Sequence, residues 1–280
     1  MQNRKKAPAG LLTAREAIEI IGIPSTAFFD LVKDGTIRKV VPPGRKEGFY
    51  SEAEIENYGR NLRAFNEPYQ GEKLDFGLAL SEDLPRIHEL VASVSGGYAH
   101  AVPKEILKAW IRKNPQSVHI LRKGSEIVGY ISMFPLPLDT LMDRLSGRLF
   151  NRTIPIDDIQ QFVSNTAIRL YIAEMAVKHS LQHIKQHEPD PNNPDPEARK
   201  LGLRLIREAG RFIIELKKQN INIDELYAVG TSQFGNQMSR DLGMEPMDLP
   251  EGTRKERVPF KMELRGKKAS SIFVRGLIGQ

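Results

Sequence analysis

"AIRLYIAEMAV", residues 167–177, is a mostly apolar run, and it decides how the second half of the chain is organised. A run of this length and composition predicts a buried strand. The segment "ARKLGLRLIREAGRFIIELKKQN", residues 198–220, has apolar residues at helical spacing, and "INIDELYAVG", residues 221–230, is again typical of a strand. Strand, long helix and strand in succession indicate a sheet with a helix packed on it.

The flanking segments extend this pattern in both directions. Upstream, two β-rich runs at 117–123 and 126–134 are separated by a Gly-containing turn and predict a hairpin. The other predicted elements are a strand at 74–80, helices at 81–94 and 103–114, a short helix at 236–243 and a last strand at 257–266.

The composition restricts the classes of protein that remain. With 280 residues and 40% apolar content, the chain is long enough for two domains with real cores. The absence of cysteine excludes disulfides, thiolate nucleophiles and cysteine-bound metal, and fits a cytoplasmic location. The sequence shows neither a membrane-length apolar run nor a secretion signal. The net charge of +6 favours polyanionic partners or phosphate-bearing cofactors.

The first sixty residues predict a small helical module. Thr13 with Glu16 three residues later forms a capping box and predicts a helix that continues to Ile21. After a tight turn, Ser25 is in position to cap a second helix. Extended stretches on either side of the loop at 42–47 predict a wing, and a third helix closes the module.

This order, with "GIPS" before the second helix and "KDGTI" at its end, resembles the winged helix-turn-helix of the MerR and excisionase-like DNA-binding families over residues 11–64. The resemblance implies double-stranded DNA as a partner, with the second helix in the major groove and the wing on phosphates. Asp30 departs from the family, which usually has a basic residue there. The alternative is a protein-docking module. The candidate DNA contacts are Ser25, Thr26 and Lys33 on the helix and Arg38, Lys39, Arg45 and Lys46 on the wing.

The order of elements over residues 74–266 resembles the GNAT N-acetyltransferase fold. The resemblance is carried by "SEIVGYISM" on the hairpin, "YIAEMAV" leading toward "RKLGLRL", and "GNQMSRDLGM" near the end. We therefore expect an α+β fold: a small winged helix-turn-helix followed by a GNAT-like domain with a central mixed β-sheet flanked by helices. A basic arm at 1–10, a linker at 65–73 and a tail at 267–280 complete the chain.

The resemblance implies acetyl-coenzyme A, bound where two strands part, with its diphosphate at the start of the next helix. Arg199 and Gly202 match the first two positions of the family's Arg/Gln-x-x-Gly-x-Gly/Ala pattern, and Arg204 departs from the third. Unpaired N–H groups and the helix dipole attract phosphate there. Lys200 is a further candidate contact. The alternative is a packed helix in which Arg204 pairs with Glu208 one turn later.

Acyl transfer to an amine requires a base for the amine, a donor to the thioester oxygen and an acid for the leaving thiolate. Glu174, on the strand that lines the expected cleft, is the candidate base. The backbone N–H of Met175 or Val177 is the candidate donor. Ser239 occupies the position where the family usually has the tyrosine that acts as the general acid. Asn236 matches a polar position that contacts the pantetheine arm.

Two segments depart from the family. An insertion at about 139–164, predicted helical at 138–148 and 156–163, lies where substrate approaches. The connection at 178–197 is long and rich in Pro, Asn and Asp, which indicates either a lid or the loss of the cofactor cleft. It also contains His179, His183 and His187 at helical spacing, but three imidazoles spread over more than two turns cannot share one ion, and we predict no metal site.

Tyr171 and Tyr227 are aromatic alternatives to Ser239 for the catalytic acid.

The preferred hypothesis is a cytoplasmic, DNA-binding regulator, possibly a homodimer, whose second domain binds acetyl-coenzyme A or a related acyl thioester and transfers the acyl group to an unidentified amine. One alternative is a non-catalytic sensor or dimerisation domain on a DNA-binding module. Another is an acetyltransferase with an N-terminal protein-docking module. The sequence indicates no membrane partner.

Overall fold

The structure is a computed structural model, and it describes residues 7–33, 35–44, 48–66, 73–94, 101–179, 195–248 and 257–264. Arg45, Lys46, His183 and His187 lie outside the described residues, as do most of the predicted arm and linker and the whole tail. Among the described helices, none combines the length and apolar character needed to cross a membrane.

The N-terminal unit contains three helices and two short strands: β1 Leu11–Leu12, α1 Ala14–Ile21, α2 Ser25–Lys33, β2 Tyr50–Ser51 and α3 Glu52–Asn66. Thr13 caps α1, accepting a bond from the Glu16 N–H at 3.3 Å while its own N–H donates to the Glu16 carboxylate at 2.8 Å. The predicted capping box is therefore confirmed. Gly22 ends α1 with φ of 78°, in the left-handed region that glycine adopts without strain.

The start of α2 differs from the prediction. The Phe28 N–H donates to the Pro24 carbonyl at 3.0 Å, so Pro24 is the flanking residue and Ser25 already lies in the first turn. The expected cap by Ser25 is therefore wrong by one position. A bridge between Val40 and Phe49 lies beside the loop at 42–47, and β1 pairs with β2.

The second unit is built on a seven-stranded sheet flanked by helices. Its strands are β3 Leu74–Leu78, β4 Val118–Lys123, β5 Glu126–Pro135, β6 Ala167–Val177, β7 Asn222–Gly230, β8 Glu245–Pro246 and β9 Val258–Glu263. Its helices are α4 Leu84–Val94, α5 Lys104–Lys113, α6 Leu138–Leu145, α7 Pro196–Lys218 and α8 Gln233–Asp241. The strand order is β3-β4-β5-β6-β7-β9-β8, and β6 with β7 is the parallel pair among antiparallel neighbours. The expected mixed α+β sheet and its order of elements are confirmed.

The insertion between β5 and β6 is only partly helical. Its first half forms α6, as predicted, whereas residues 156–163 form a single 3-10 turn, Ile156–Asp158, followed by extended chain. The predicted second helix is therefore wrong, and Pro155 with two aspartates explains the short turn, since these residues favour turns over helix interiors.

Two apolar cores lie on the two faces of the sheet. One lies beneath α7 and includes Leu205, Leu216 and Phe260. The other lies beneath α4 and α5 and includes Trp110 and Tyr130, both fully buried. The two layers hold β5 and β6 in the middle of the molecule, where the candidate site is found.

The N-terminal unit contacts the second unit through α3 and α7. Tyr58 and Leu62 of α3 pack against the core of both units. Arg199 of α7 donates from Nη2 to the Asn57 Oδ1 at 3.2 Å. In α2, Ser25, Thr26, Phe29, Asp30 and Lys33 are exposed.

Candidate active site

Strands β6 and β7 separate before they end. Their last paired residues are Ile172 and Ala228, whereas β6 continues to Val177 and β7 to Gly230. Beyond Ile172, β6 remains paired with β5 on its other side. A gap between neighbouring parallel strands therefore opens at the carboxyl ends of β6 and β7, which is where α/β sheets commonly bind ligands.

The backbone of β6 directs alternate N–H groups into this gap. The Lys178 N–H donates to the Val128 carbonyl at 2.9 Å, so it points toward β5. Because successive residues of a strand point their N–H groups to opposite sides, those of Val177 and Met175 point toward β7. Both candidate donors thus lie along the edge of the gap.

A β-bulge turns Glu174 toward the second core. Ser132 pairs with Glu174 and the next residue of β5, Met133, pairs with Ile172, which leaves Ala173 as the extra residue. Bulges of this kind re-aim side chains and are frequent next to active sites. The Tyr130 hydroxyl donates to the Glu174 carboxylate at 3.3 Å. The carboxylate thus lies immediately beyond the point where β6 leaves β7.

Burial changes the acidity of this carboxyl group. Loss of solvation raises the pKa of Glu174 to about 7, although hydrogen bonds from Tyr130 and from the backbone of Val102, and the charge of Arg144, pull it down. A carboxyl group with this pKa is about half ionised at neutral pH, which suits it to accept a proton.

A polar cluster that the sequence did not reveal surrounds Tyr171. The Asn151 Oδ1 accepts from the Tyr171 hydroxyl at 2.9 Å and from the Arg144 Nε at 2.5 Å, and its Nδ2 donates to the Ala173 carbonyl. Burial raises the pKa of Tyr171 to about 12, so Tyr171 is a poor proton donor at neutral pH. The sequence placed Arg144 and Asn151 only within an insertion near the substrate, and no periodic pattern linked them to β6.

Asn236 and Ser239 lie on α8, which follows β7. The Asn236 Oδ1 is buried and has no hydrogen-bond partner within the described part of the chain. It lies against Gly230, where an added Cβ would be 1.9 Å from it. The absence of a side chain at Gly230 therefore makes room for this amide at the end of β7. Ser239 is 9% exposed, and among the described residues no hydrogen bond joins it to Glu174. Tyr227 donates to Glu225 at 3.0 Å instead of facing Glu174.

The start of α7 differs from the diphosphate site that the resemblance implies. The helix begins at Pro196, and the Asp195 carboxylate accepts from the N–H groups of Glu197 and Ala198 at 3.0 and 3.3 Å. The first N–H groups of α7, which have no acceptor within the helix, are thus bonded to a carboxylate. Gly202 lies in the helix interior, where an added Cβ would come within 2.9 Å of the Met238 methyl. The glycine lets α7 and α8 approach closely.

The side chains near Gly202 have other partners. Arg204 Nη2 lies 3.0 Å from the Glu208 carboxylate, so the alternative i,i+4 pair is confirmed. Arg199 contacts Asn57, as described above, and Lys200 is exposed. A role for these residues in binding a diphosphate stays a prediction, and free amides at Gly202 no longer support it.

The described candidate DNA contacts share an exposed surface. Thr26 and Lys33 lie on one side of α2 together with the exposed Phe29 and Asp30. The remaining exposed candidates are Ser25 at the start of α2 and Arg38 and Lys39 after it.

A groove of about 680 Å³ lies at the opposite end of β6 from Glu174. Its walls include Leu138, Val163 and Arg169. Since Arg169 precedes Glu174 by five residues along an extended strand, the two residues are about 16 Å apart along β6, and the groove is a separate feature.

Comparisons with known proteins give similarity in structure only. No protein-family model and no curated protein matches the chain. The structure is similar to a GNAT-family acetyltransferase from Staphylococcus aureus Mu50, with 14% identity, 69% of this chain and 100% of that chain covered, and a TM-score of 0.41. It is also similar to the loading GNATL domain of CurA from Lyngbya majuscula, with 16% identity, coverage of 69% and 98%, and a TM-score of 0.45. A third similar structure is YncA, a putative acetyltransferase from Salmonella typhimurium with acetyl-CoA, with 13% identity, coverage of 69% and 94%, and a TM-score of 0.39.

Proposed function

We propose that the second unit is an N-acyltransferase that transfers the acyl group of an acyl-coenzyme A to an amine. The observation that carries the proposal is the position and acidity of Glu174. It lies immediately beyond the point where β6 parts from β7, and its pKa is about 7. A base with this pKa is suited to remove a proton from an ammonium group at neutral pH.

The residues divide the chemistry as follows. Glu174 takes one proton from the acceptor amine, directly or through water, and the nitrogen attacks the thioester carbonyl carbon. The N–H groups of Met175 and Val177 stabilise the negative charge that develops on the oxygen. As the C–S bond breaks, the nitrogen loses its second proton and the leaving thiolate gains one. Ser239 is the proposed donor to the thiolate, and it recovers its proton from the nitrogen, so that no alkoxide remains.

The gap between β6 and β7 is suited to the pantetheine arm of acyl-coenzyme A. The start of α7 is less suited to the diphosphate of the same molecule. The unpartnered amide oxygen of Asn236 at the end of β7 is suited to accept from an amide N–H of the pantetheine arm. At the start of α7 the Asp195 carboxylate opposes an anion, and Lys200 is the exposed cation nearby. We assign the diphosphate contact to Arg199 and Lys200, and we give Gly202 and Arg204 no direct contact.

Calorimetry and turnover measurements test this proposal. We expect acetyl-coenzyme A to bind the full chain, and release of the free thiol to depend on an added amine. Absence of binding removes the enzyme and the acyl-sensor alternatives together. Binding with no turnover against a panel of amines favours the non-catalytic sensor.

We also propose that the N-terminal unit binds double-stranded DNA, because α2 presents an exposed surface and Lys33, Arg38 and Lys39 are exposed cations at its end and after it. The exposed Phe29 and Asp30 are the features of α2 that fit a protein partner instead. Fluorescence anisotropy with random duplex DNA at several salt concentrations distinguishes the two, since phosphate contacts make affinity fall with salt. Acyltransferase activity without DNA affinity would support the docking module.

A further inference from the structure

Arg144 is a buried cation that keeps an unused hydrogen-bond donor. It is 3% exposed, and its buried Nη1 forms no hydrogen bond with any residue that the structure describes. Among the described residues, no carboxylate forms a salt bridge with it. Its contacts are the bond from Nε to Asn151 and the face of the Tyr171 ring, 5.5 Å from the guanidinium carbon. Its charge acts on the Glu174 carboxyl group without a bond between them, and that group is only about half ionised at neutral pH. A buried guanidinium with so little opposite charge is unfavourable, because it has lost water and is only partly compensated.

The fold holds this side chain in one place. Arg144 lies in α6, between Leu141 and Leu145, both of which are buried and anchor the helix on the second core. Asn151 then connects Arg144 to β6, since its amide nitrogen donates to the carbonyl of Ala173, the bulged residue. The Nε is thus committed to the protein, and the Nη1 end remains available.

The same bulge orients the proposed base. Ala173, whose carbonyl is tied to Arg144 through Asn151, directly precedes Glu174. The positive charge of Arg144 acts on the carboxyl group of Glu174 and on Tyr171, and Arg257 acts on Tyr171 as well. The surroundings of Glu174 are therefore positively charged and repel an ammonium group. An amine substrate fits this site better if it also carries an anionic group.

We propose that Arg144 binds a carboxylate of the acyl acceptor, so that the substrate class is an amino acid whose amino group Glu174 deprotonates. This inference rests on the proposed acyltransferase function and adds the chemical class of its acceptor. The planar guanidinium matches the two oxygens of a carboxylate. A singly charged carboxylate balances the one unpaired cation, whereas a phosphate monoester brings close to two negative charges.

The experiment compares matched acceptors that differ only at the anion. Rates of thiol release from acetyl-coenzyme A are measured with a set of amino acids and with the carboxamide of each. We expect the wild-type protein to prefer the acid by about 30- to 100-fold in kcat/KM, the range expected for a charge-assisted hydrogen bond in a buried site. In R144Q this preference should disappear, chiefly through a higher KM for the acid. Loss of the Arg144 charge also raises the pKa of Glu174, so kcat should fall by a similar factor for acid and amide, and the ratio of the two kcat/KM values is the readout.

Two variants control for structural effects. R148Q removes an arginine of the same insertion that is exposed and pairs with Asp143, and it should keep the preference. R144K keeps the charge but not the paired donors, so it should show an intermediate preference and preserve the fold if R144Q does not.

The outcomes separate the inference from the proposed function. Equal rates with acid and amide would overturn the role of Arg144 while leaving acyl transfer intact, and a preference for 2-aminoethyl phosphate over β-alanine would overturn the carboxylate. If no amine is acylated, the proposed function fails. Thermal shifts of wild type and R144Q with amino acids and their amides then decide the Arg144 inference, because stabilisation by the acid alone, lost in R144Q, does not depend on turnover.

Discussion

Glu174 is a residue that the protein retains at a cost in stability. Its pKa is about 7 in the folded protein, against 4.5 for an unperturbed glutamate, and burial is the main cause. The folded protein therefore holds a proton that the unfolded chain releases, and between pH 4.5 and 7 stability falls as the pH rises. Residues that destabilise a fold in this way concentrate at functional sites.

Replacement of Glu174 by Gln should therefore separate activity from stability. E174Q should lose about 10²- to 10⁴-fold in acyl transfer, the usual contribution of a general base. At pH 8 it should be more stable than the wild type by up to about 3 kcal/mol, because Gln has no proton to lose. The gain should shrink toward pH 5. Rates with acetyl-coenzyme A and urea unfolding at pH 5 and pH 8 measure both effects.

The control for this prediction is E126Q, which removes an exposed carboxylate at the start of β5 that pairs with Lys178, the residue after β6. It should change neither quantity by much, since exposed ion pairs contribute about 0–1 kcal/mol. In the wild-type protein the rate should rise with pH through about 7. A rate independent of pH between 6 and 8 would argue against Glu174 as the base.

Gly202 illustrates how a glycine that matches a binding pattern can serve packing instead. An added Cβ meets the end of the flexible Met238 side chain. Displacing that methyl costs little, and alanine gains about 1 kcal/mol in helix propensity over glycine. We therefore expect G202A to change the free energy of unfolding by less than about 1 kcal/mol, and G202L to lower it by about 1–3 kcal/mol through overpacking. Acetyl-coenzyme A should bind G202A as it binds the wild type. A tenfold loss of affinity would indicate instead that the diphosphate lies against Gly202.

At the scale of single elements, the sequence predicted what local interactions determine. The capping box of Thr13 and Glu16 and the hairpin turn at Gly124 depend on neighbours in the sequence, and the structure contains both. The bulge at Ala173 and the bond from Asn151 to the Ala173 carbonyl depend on residues more than twenty positions apart, for which the sequence carries no periodic signal. The start of α7 was also missed, because its cap lies in a run of Pro, Asn and Asp that resembles a loop.

Asp195 gives the start of α7 a testable role. As the cap of α7 it should contribute about 1 kcal/mol, so D195A should be destabilised by that amount, whereas D195N, with an equally good capping residue, should not. If the diphosphate lies near Lys200, D195N should also bind acetyl-coenzyme A several-fold more tightly, because a negative charge worth about 1 kcal/mol at 4 Å has been removed. Chemical unfolding and calorimetry test the two parts. Unchanged affinity in D195N would place the diphosphate elsewhere.

At the scale of the whole molecule, α3 joins two units with different surfaces. Tyr58 and Leu62 of α3 contribute to both cores, and Arg199 of α7 bonds to Asn57. The N-terminal unit is therefore held against α7, and one side of α2 is exposed. The net charge of +6 makes general attraction to DNA a property of the whole chain, so a test of specific contacts must hold that charge constant.

A pair of double variants with the same loss of charge provides that test in the full chain. R38A/K39A removes two exposed cations next to α2, and K217A/K218A removes two exposed cations at the far end of α7. If the surface around α2 contacts phosphates, R38A/K39A should weaken binding to random duplex DNA, and the slope of log affinity against log salt should become shallower by about 2, close to one unit for each lost contact. K217A/K218A should keep the wild-type slope. Equal effects of the two variants would mean that only the net charge attracts DNA, and no effect of either, with acyl transfer retained, would assign the exposed Phe29 and Asp30 to a protein partner.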